Sequence, residues 1–301
     1  MAIQQRAAKS SRALTQPSID DRSWPYQARA IDVDGAPVAY YDVGSGPTLL
    51  LVHTGLWSFI WRDVIQHLSN HFRCISVDSP GTGHSGIGSW PLSLESAANA
   101  VDSVIRALDL RELTLVVHDL GGLSGVVGAG RSRAALHGVV AINTFAWQPN
   151  GRFLRLMLRI AGSAAARELD VLTHVVPRIT ASRFGIGRHL NPSSRRAFRQ
   201  SMQAPQIRAF HQYLADALRC EPLHHEAERV VSTIVQRGPL LTIFGGRNDP
   251  FGFQAEWKRR VPHASELVLA GGNHFPMCDD PSLVAGAIRE WHHANNGRGT
   301  P

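Results

Sequence analysis

Cysteine is scarce in this chain: Cys74, Cys220 and Cys278 are the only three in 301 residues, and they are widely spaced. That spacing excludes a disulfide framework and a cysteine metal cluster, and predicts a reducing, cytoplasmic setting. No apolar run approaches the ~20 residues that cross a bilayer. Met1 to Arg22 is polar and has no apolar signal core, so a flexible tail is expected, with neither secretion nor a membrane partner. Tyrosine is rare too, with Tyr26, Tyr40 and Tyr41 near the start and Tyr213 alone thereafter. No internal repeat and no nucleic-acid-binding motif is present. The net charge is nevertheless +7 and the sequence pI about 10.0. The arginines from Gly151 to Arg237 are scattered, which predicts a solvated basic face, or steering of an anionic substrate, and no nucleic-acid partner.

What is present is the patterning of a folded α/β protein. Apolar residues make up 44% and charged residues 18%, as in globular domains, and the length suits one large domain or a core carrying an insertion. Ala28–Val33 and Ala36–Asp42 are predicted strands joined by an Asp34–Gly35 turn. Thr48–Val52, Phe72–Val77, Thr114–Val117 and Gly138–Asn143 are short apolar runs that suit buried parallel strands. Trp57–Leu68 and Leu94–Leu108 read as helices, the second with Ser93 as N-cap. The strand rhythm stops at about Gly151, where Phe153–Ile160, Ser193–Gln203 and Ile207–Leu218 read as helices. It resumes with Leu240–Phe244 and Ser265–Leu269, and Leu283–Ala294 closes the chain. The expectation is a mainly parallel sheet flanked by helices: a tail over 1–22, a core over 23–146 and 238–296, and a helical cap over 147–237.

The chain is organised around Thr114–Gly125. Here a buried strand meets Gly121–Gly122 and a small-residue helix, with Asp119 at the apex, the layout of a nucleophile elbow with Asp in place of the usual Ser. Ligands of parallel sheets bind at the carboxyl ends of the strands. Asp249, in Gly245–Pro250, and His274, after Gly271-Gly272-Asn273, fall at two further such ends. The chain order Asp119, Asp249, His274 is the nucleophile–acid–base order of α/β-hydrolases. Asp249 has a plainer alternative as a turn former in Asn248-Asp249-Pro250, and His274 as a core histidine.

A carboxylate nucleophile has a chemical consequence. Attack on an alkyl carbon forms an ester that water can cleave, whereas attack on an ester or amide forms an anhydride. Haloalkanes or epoxides are therefore the expected substrates. His274 would activate the water and Asp249 would orient His274. The oxyanion of ester cleavage needs two N–H donors: Leu120, with Thr54 or Gly55 from the loop after His53. The substrate pocket is expected to include His53, Trp57, Trp147 and Phe275. Carboxylate, imidazole and water suffice for this chemistry, so no cofactor or metal is expected, and the partner is a small-molecule substrate. A non-catalytic binder on the same scaffold would have no need of all three residues.

From about Trp24 to Trp291 the chain resembles the haloalkane dehalogenase group of α/β-hydrolases. The resemblance rests on Trp57-Ser58-Phe59-Ile60-Trp61-Arg62, Asp78 to Ser85, His118-Asp119-Leu120-Gly121-Gly122, Asn143-Thr144, His274-Phe275 and Asp279-Asp280-Pro281. An acid at Asp249 is similar to one branch of that group. The resemblance implies a cap over the active site. It also carries departures. Members of the group usually have Trp where Leu120 stands, and His-Gly-Asn-Pro where this chain has the shorter His53-Thr54-Gly55-Leu56, so both usual halide donors are missing; Trp57, Trp147 or a cap arginine are the substitutes available. Epoxide hydrolases share the fold and the Asp nucleophile but use two cap tyrosines, and this cap offers only Tyr213.

Overall fold

The chain enters through a hairpin. β1 (Arg29–Val33) and β2 (Ala36–Val43) pair antiparallel across Asp34 and Gly35, both at positive φ (53° and 82°), the backbone that a two-residue Asp-Gly turn requires. The structure, a computed structural model, describes residues 23–89 and 91–296; the expected tail over 1–22 lies outside the described residues.

β3 (Thr48–His53) runs into a one-turn helix, Ser58–Trp61, continued by α1 (Arg62–Leu68). Then come β4 (Arg73–Val77), α2 (Leu94–Ala107), β5 (Glu112–Asp119), α3 (Gly121–Arg131) and β6 (Ala135–Thr144). Five helices follow: α4 (Arg152–Ala161), α5 (Ala164–Thr173), α6 (Val175–Thr180), α7 (Pro192–Ser201) and α8 (Ala204–Asp216). The chain ends with α9 (Glu221–Arg237), β7 (Leu240–Gly245), α10 (Phe253–Arg260), β8 (Ser265–Leu269), α11 (Pro276–Asp279) and α12 (Pro281–Asn296). Ser93 caps α2 as expected, in a reciprocal capping box with Ser96.

The eight strands form one sheet in the order β1-β2-β4-β3-β5-β6-β7-β8, parallel from β4 onward. Side chains alternate across β5, so both faces are buried. Leu115 and Val117 join the layer of α2 and α3, while Val116 joins the opposite layer with Trp61, Ile65 and Ile288. Burial on both faces is why the central strands are continuous apolar runs.

The expected cap boundary is corrected by α9. This helix packs against α3, with Val230 touching the backbone of Gly130 and Arg131 paired to Glu226 at 2.6 Å. It is the crossover helix between β6 and β7, so it belongs to the core layer. The helical insertion proper is α4–α8. It is fastened to the core by Tyr213, whose hydroxyl donates to Pro80 O (2.7 Å), and by Asp216, which accepts from Leu94 N–H (2.7 Å).

Candidate active site

The parallel sheet delivers His53, Asp119 and Thr144 to one edge, because β3, β5 and β6 end side by side: His53 pairs with His118, and Asp119 with Thr144 after a register shift. Asp119 has φ +50°, a left-handed conformation that costs a non-glycine residue about 1 kcal/mol or more. The turn is closed from behind. A Cβ on Gly122 would collide with Thr144 Oγ1 and the Phe145 carbonyl, so only glycine lets α3 start here. Thr144 Oγ1 donates to the Asp119 carbonyl, and the Thr144 carbonyl accepts from Trp257 Nε1 at 2.8 Å. The strained apex is thus braced from β6 and α10.

The Asp119 carboxylate meets His274 Nε2 at 3.2 Å, with the two side chains 26% and 33% exposed. Burial pushes the Asp119 carboxyl upward, but the His274 hydrogen bond and the attraction of the surrounding imidazoles outweigh it and hold the group below the usual carboxylate range. Asp119 is an anion at neutral pH, as a nucleophile must be. Burial also lowers His53 to about 4 and His118 well below its ordinary value, so both are neutral at pH 7.

His118 Nε2 donates to the His274 carbonyl (2.8 Å), and the His118 ring packs edge-on against His53 and tilted against His274 and Phe275, with centroids 4.8–5.0 Å apart. His53 and Phe275 therefore lie beside His118, around the Asp119–His274 pair. Leu120 is buried at the N-cap of α3, directly after Asp119 in the chain. Thr54 is pinned through its hydroxyl to Ser124 Oγ (2.6 Å), and Gly55 adopts φ +102° beneath Phe210.

The structure does not bring together the other expected residues. Asp249 accepts from the N–H groups of Phe253 (2.8 Å) and Gln254 (2.9 Å), so both carboxylate oxygens cap α10 and neither bonds His274. Its Asn-Asp-Pro context favours this role, since a carboxylate before a helix satisfies free N–H groups. Trp57 donates its indole N–H to Ser201 Oγ (3.0 Å) and packs against Trp24, Phe59 and His84. Trp147 packs on Trp257 (4.9 Å), with the Arg260 guanidinium 4.7 Å over its ring. Neither indole is hydrogen-bonded to Asp119.

Two buried carboxylates position the site without any role assigned to them from the sequence. Asp78 accepts from Ser58 N–H (2.8 Å) and His84 N–H (3.0 Å), tying the loop after β3 to the loop after β4. Asp279 accepts from Asn273 N–H and lies 3.3 Å from Arg188 of the cap, while Arg188 also donates to the Gly271 carbonyl (2.9 Å). Asp279 therefore holds the loop that presents His274. Asp78 and Asp279 stood within the stretches that carry the resemblance, but their partners are 6 to 91 residues away, out of reach of local pattern.

The sequence matches the alpha/beta hydrolase family over residues 49–287, and the chain belongs to that family. It is haloalkane dehalogenase-like within it, and a hydrolase. Over 290 residues it is 26% identical to haloalkane dehalogenase 2 of Mycobacterium bovis, covering 90% of this chain and 96% of that protein. It is 24% identical over 294 residues to the cis-3-alkyl-4-alkyloxetan-2-one decarboxylase of Xanthomonas campestris, covering 90% and 98%. Among solved structures it resembles haloalkane dehalogenase DbeA from Bradyrhizobium elkani, with a TM-score of 0.75, 18% identity, and 91% and 99% of the two chains covered.

Proposed function

We propose that this hydrolase opens a carbon–heteroatom bond at an alkyl carbon through a covalent ester on Asp119, with haloalkanes as the first substrate class. The observation that carries this reading is the ionised Asp119 carboxylate at the elbow apex, 3.2 Å from His274 Nε2. One Asp119 oxygen bonds to the substrate carbon as the halide departs with its electron pair. His274 then takes a proton from water, and the hydroxide adds to the Asp119 carbonyl carbon. The resulting oxyanion is met by the N–H of Leu120 and by that of Thr54 or Gly55. Collapse restores the carboxylate, and the alcohol leaves with the proton from His274. Asp249 stands on the loop beside that of His274 and is the proposed acid; to serve, its side chain must leave the α10 N–H groups. No cofactor enters the scheme, and a reducing cytoplasm suits its free thiols.

A second reading is favoured by the donors. Leu120 brings no indole, and those of Trp57 and Trp257 are spent on Ser201 and Thr144. A departing halide wants such donors. An epoxide or a four-membered lactone keeps its leaving oxygen tethered and needs them less.

Halide release from short bromoalkanes by the purified protein, with Asp119→Ala as control, tests the first reading. Release that vanishes in the variant is the expected result. Absence of halide release together with diol formation from epoxides would replace it with the second.

A further inference from the structure

Eight of the eleven exposed large apolar residues among the described ones fall between positions 153 and 184, on the cap. Phe153, Leu156 and Ile160 form one stripe of α4, Leu169 and Leu172 follow on α5, and Val175 and Ile179 on α6; Leu172 is 81% exposed. Phe184 stands beyond them with the Arg183 guanidinium 4.8 Å over its ring. Scattered exposed apolar residues are ordinary, but a run of this kind on consecutive helices marks an interaction surface.

The charge of the same segment selects the partner. Residues 147–201 hold ten arginines and no lysine, against two acids, Glu168 and Asp170, so this segment accounts for the whole positive excess of the chain. Both acids are engaged: Glu168 with Arg167 and Arg208, and Asp170, buried, with His211. On α6 the exposed Val175, Arg178 and Ile179 share one face, being three and four residues apart. Arg178 also joins Arg195, Arg196 and Arg199 around a cleft of about 340 Å³ between α6 and α7. Apolar tips thus alternate on the surface with the exposed guanidinium groups of Arg178, Arg196 and Arg199, which have no acidic partner among the described residues, while Arg195 donates to the Gly187 carbonyl (2.7 Å).

We infer that the outer face of the cap, α4 to α7, docks on an anionic lipid surface, with the apolar tips in the acyl boundary and the arginines at the headgroup phosphates. Helices that lie in a membrane interface have this composition. A second copy of the chain would set arginine against arginine across the contact, which like-charge repulsion opposes. Nucleic acid would satisfy the arginines but leave Leu172, Ile179 and Phe184 in water. No helix of the described residues is long and apolar enough to cross a membrane, so the contact is peripheral.

Co-sedimentation of the full-length protein with vesicles tests this. Vesicles of phosphatidylcholine mixed with phosphatidylglycerol should carry the protein down, those of phosphatidylcholine alone should not, and added salt should release it. Leu172→Ser with Ile179→Ser should weaken binding at least about tenfold, and Arg178→Gln with Arg196→Gln about fivefold per arginine. All four positions are on the surface, and circular dichroism confirms that the variants fold. The inference is overturned if anionic vesicles do not bind, or if binding is unchanged by the apolar pair. It is also overturned if the wild type is a dimer that Leu172→Ser dissociates, or if duplex DNA binds more tightly than vesicles do.

Discussion

Arg188 of the cap lies 3.3 Å from the buried carboxylate of Asp279, and the same Asp279 accepts the backbone N–H of Asn273, the residue before His274. One carboxylate therefore connects the cap to the loop that carries His274. Asp279→Asn is expected to cost about 1–3 kcal/mol of stability, because charge-assisted bonds are lost while Arg188 is only a third exposed. Turnover should fall more than in Arg188→Ala, which leaves the Asn273 bond in place. Urea unfolding and steady-state turnover of the two variants measure both effects; equal turnover in the two would detach Asp279 from His274 positioning.

The strain at Asp119 separates stability from activity. At φ +50° glycine is at ease and aspartate is not, so Asp119→Gly should remove all turnover yet raise unfolding stability by about 1 kcal/mol. A melting temperature lower than wild type would show that the bond to His274 outweighs the backbone term.

On the proposed route, His274→Phe leaves Asp119 able to attack while removing the group that would activate water. The ester should accumulate, visible by mass spectrometry as an alkyl adduct on the peptide containing Asp119. Recovery of only unmodified peptide, with a substrate that the wild type turns over, would count against the covalent route.

Stability should fall with acid through two buried histidines. His53 is lowered to about 4 and His118 lies well below its ordinary 6.5. A histidine with a depressed folded-state value contributes stability that is fully present above 6.5 and is lost as pH falls toward the folded value, because the unfolded chain takes up the proton first. Between roughly pH 6 and 4 each should cost up to about 1.4 kcal/mol per pH unit. Asp119, depressed as well, adds a loss only below about pH 4. Urea midpoints across that range should decline steeply in the wild type and less in His53→Phe; parallel curves would refute the assignment.

Much of this molecule is written locally. The β-branched run of Thr114–Val117, the Gly121–Gly122 pair and the Asp34–Gly35 turn each specify their own backbone, so the elbow, the hairpin and the succession of strands along the chain were legible from spacing, while the order of the strands within the sheet came only with the tertiary structure. The Asp119–His274 pair followed from chain order, because a parallel sheet brings every strand end to the same edge. The tertiary structure decided what depends on distant partners. Whether Asp249 serves His274 or caps a helix turns on which donors stand nearest, and the N–H groups of Phe253 and Gln254 are the nearer ones. Whether α9 belongs to cap or core turns on which surface its apolar face meets, since an amphipathic pattern is the same against either; here it meets α3. Asp78 and Asp279 show the same limit, because a carboxylate in the sequence does not announce which backbone N–H groups folding will bring to it.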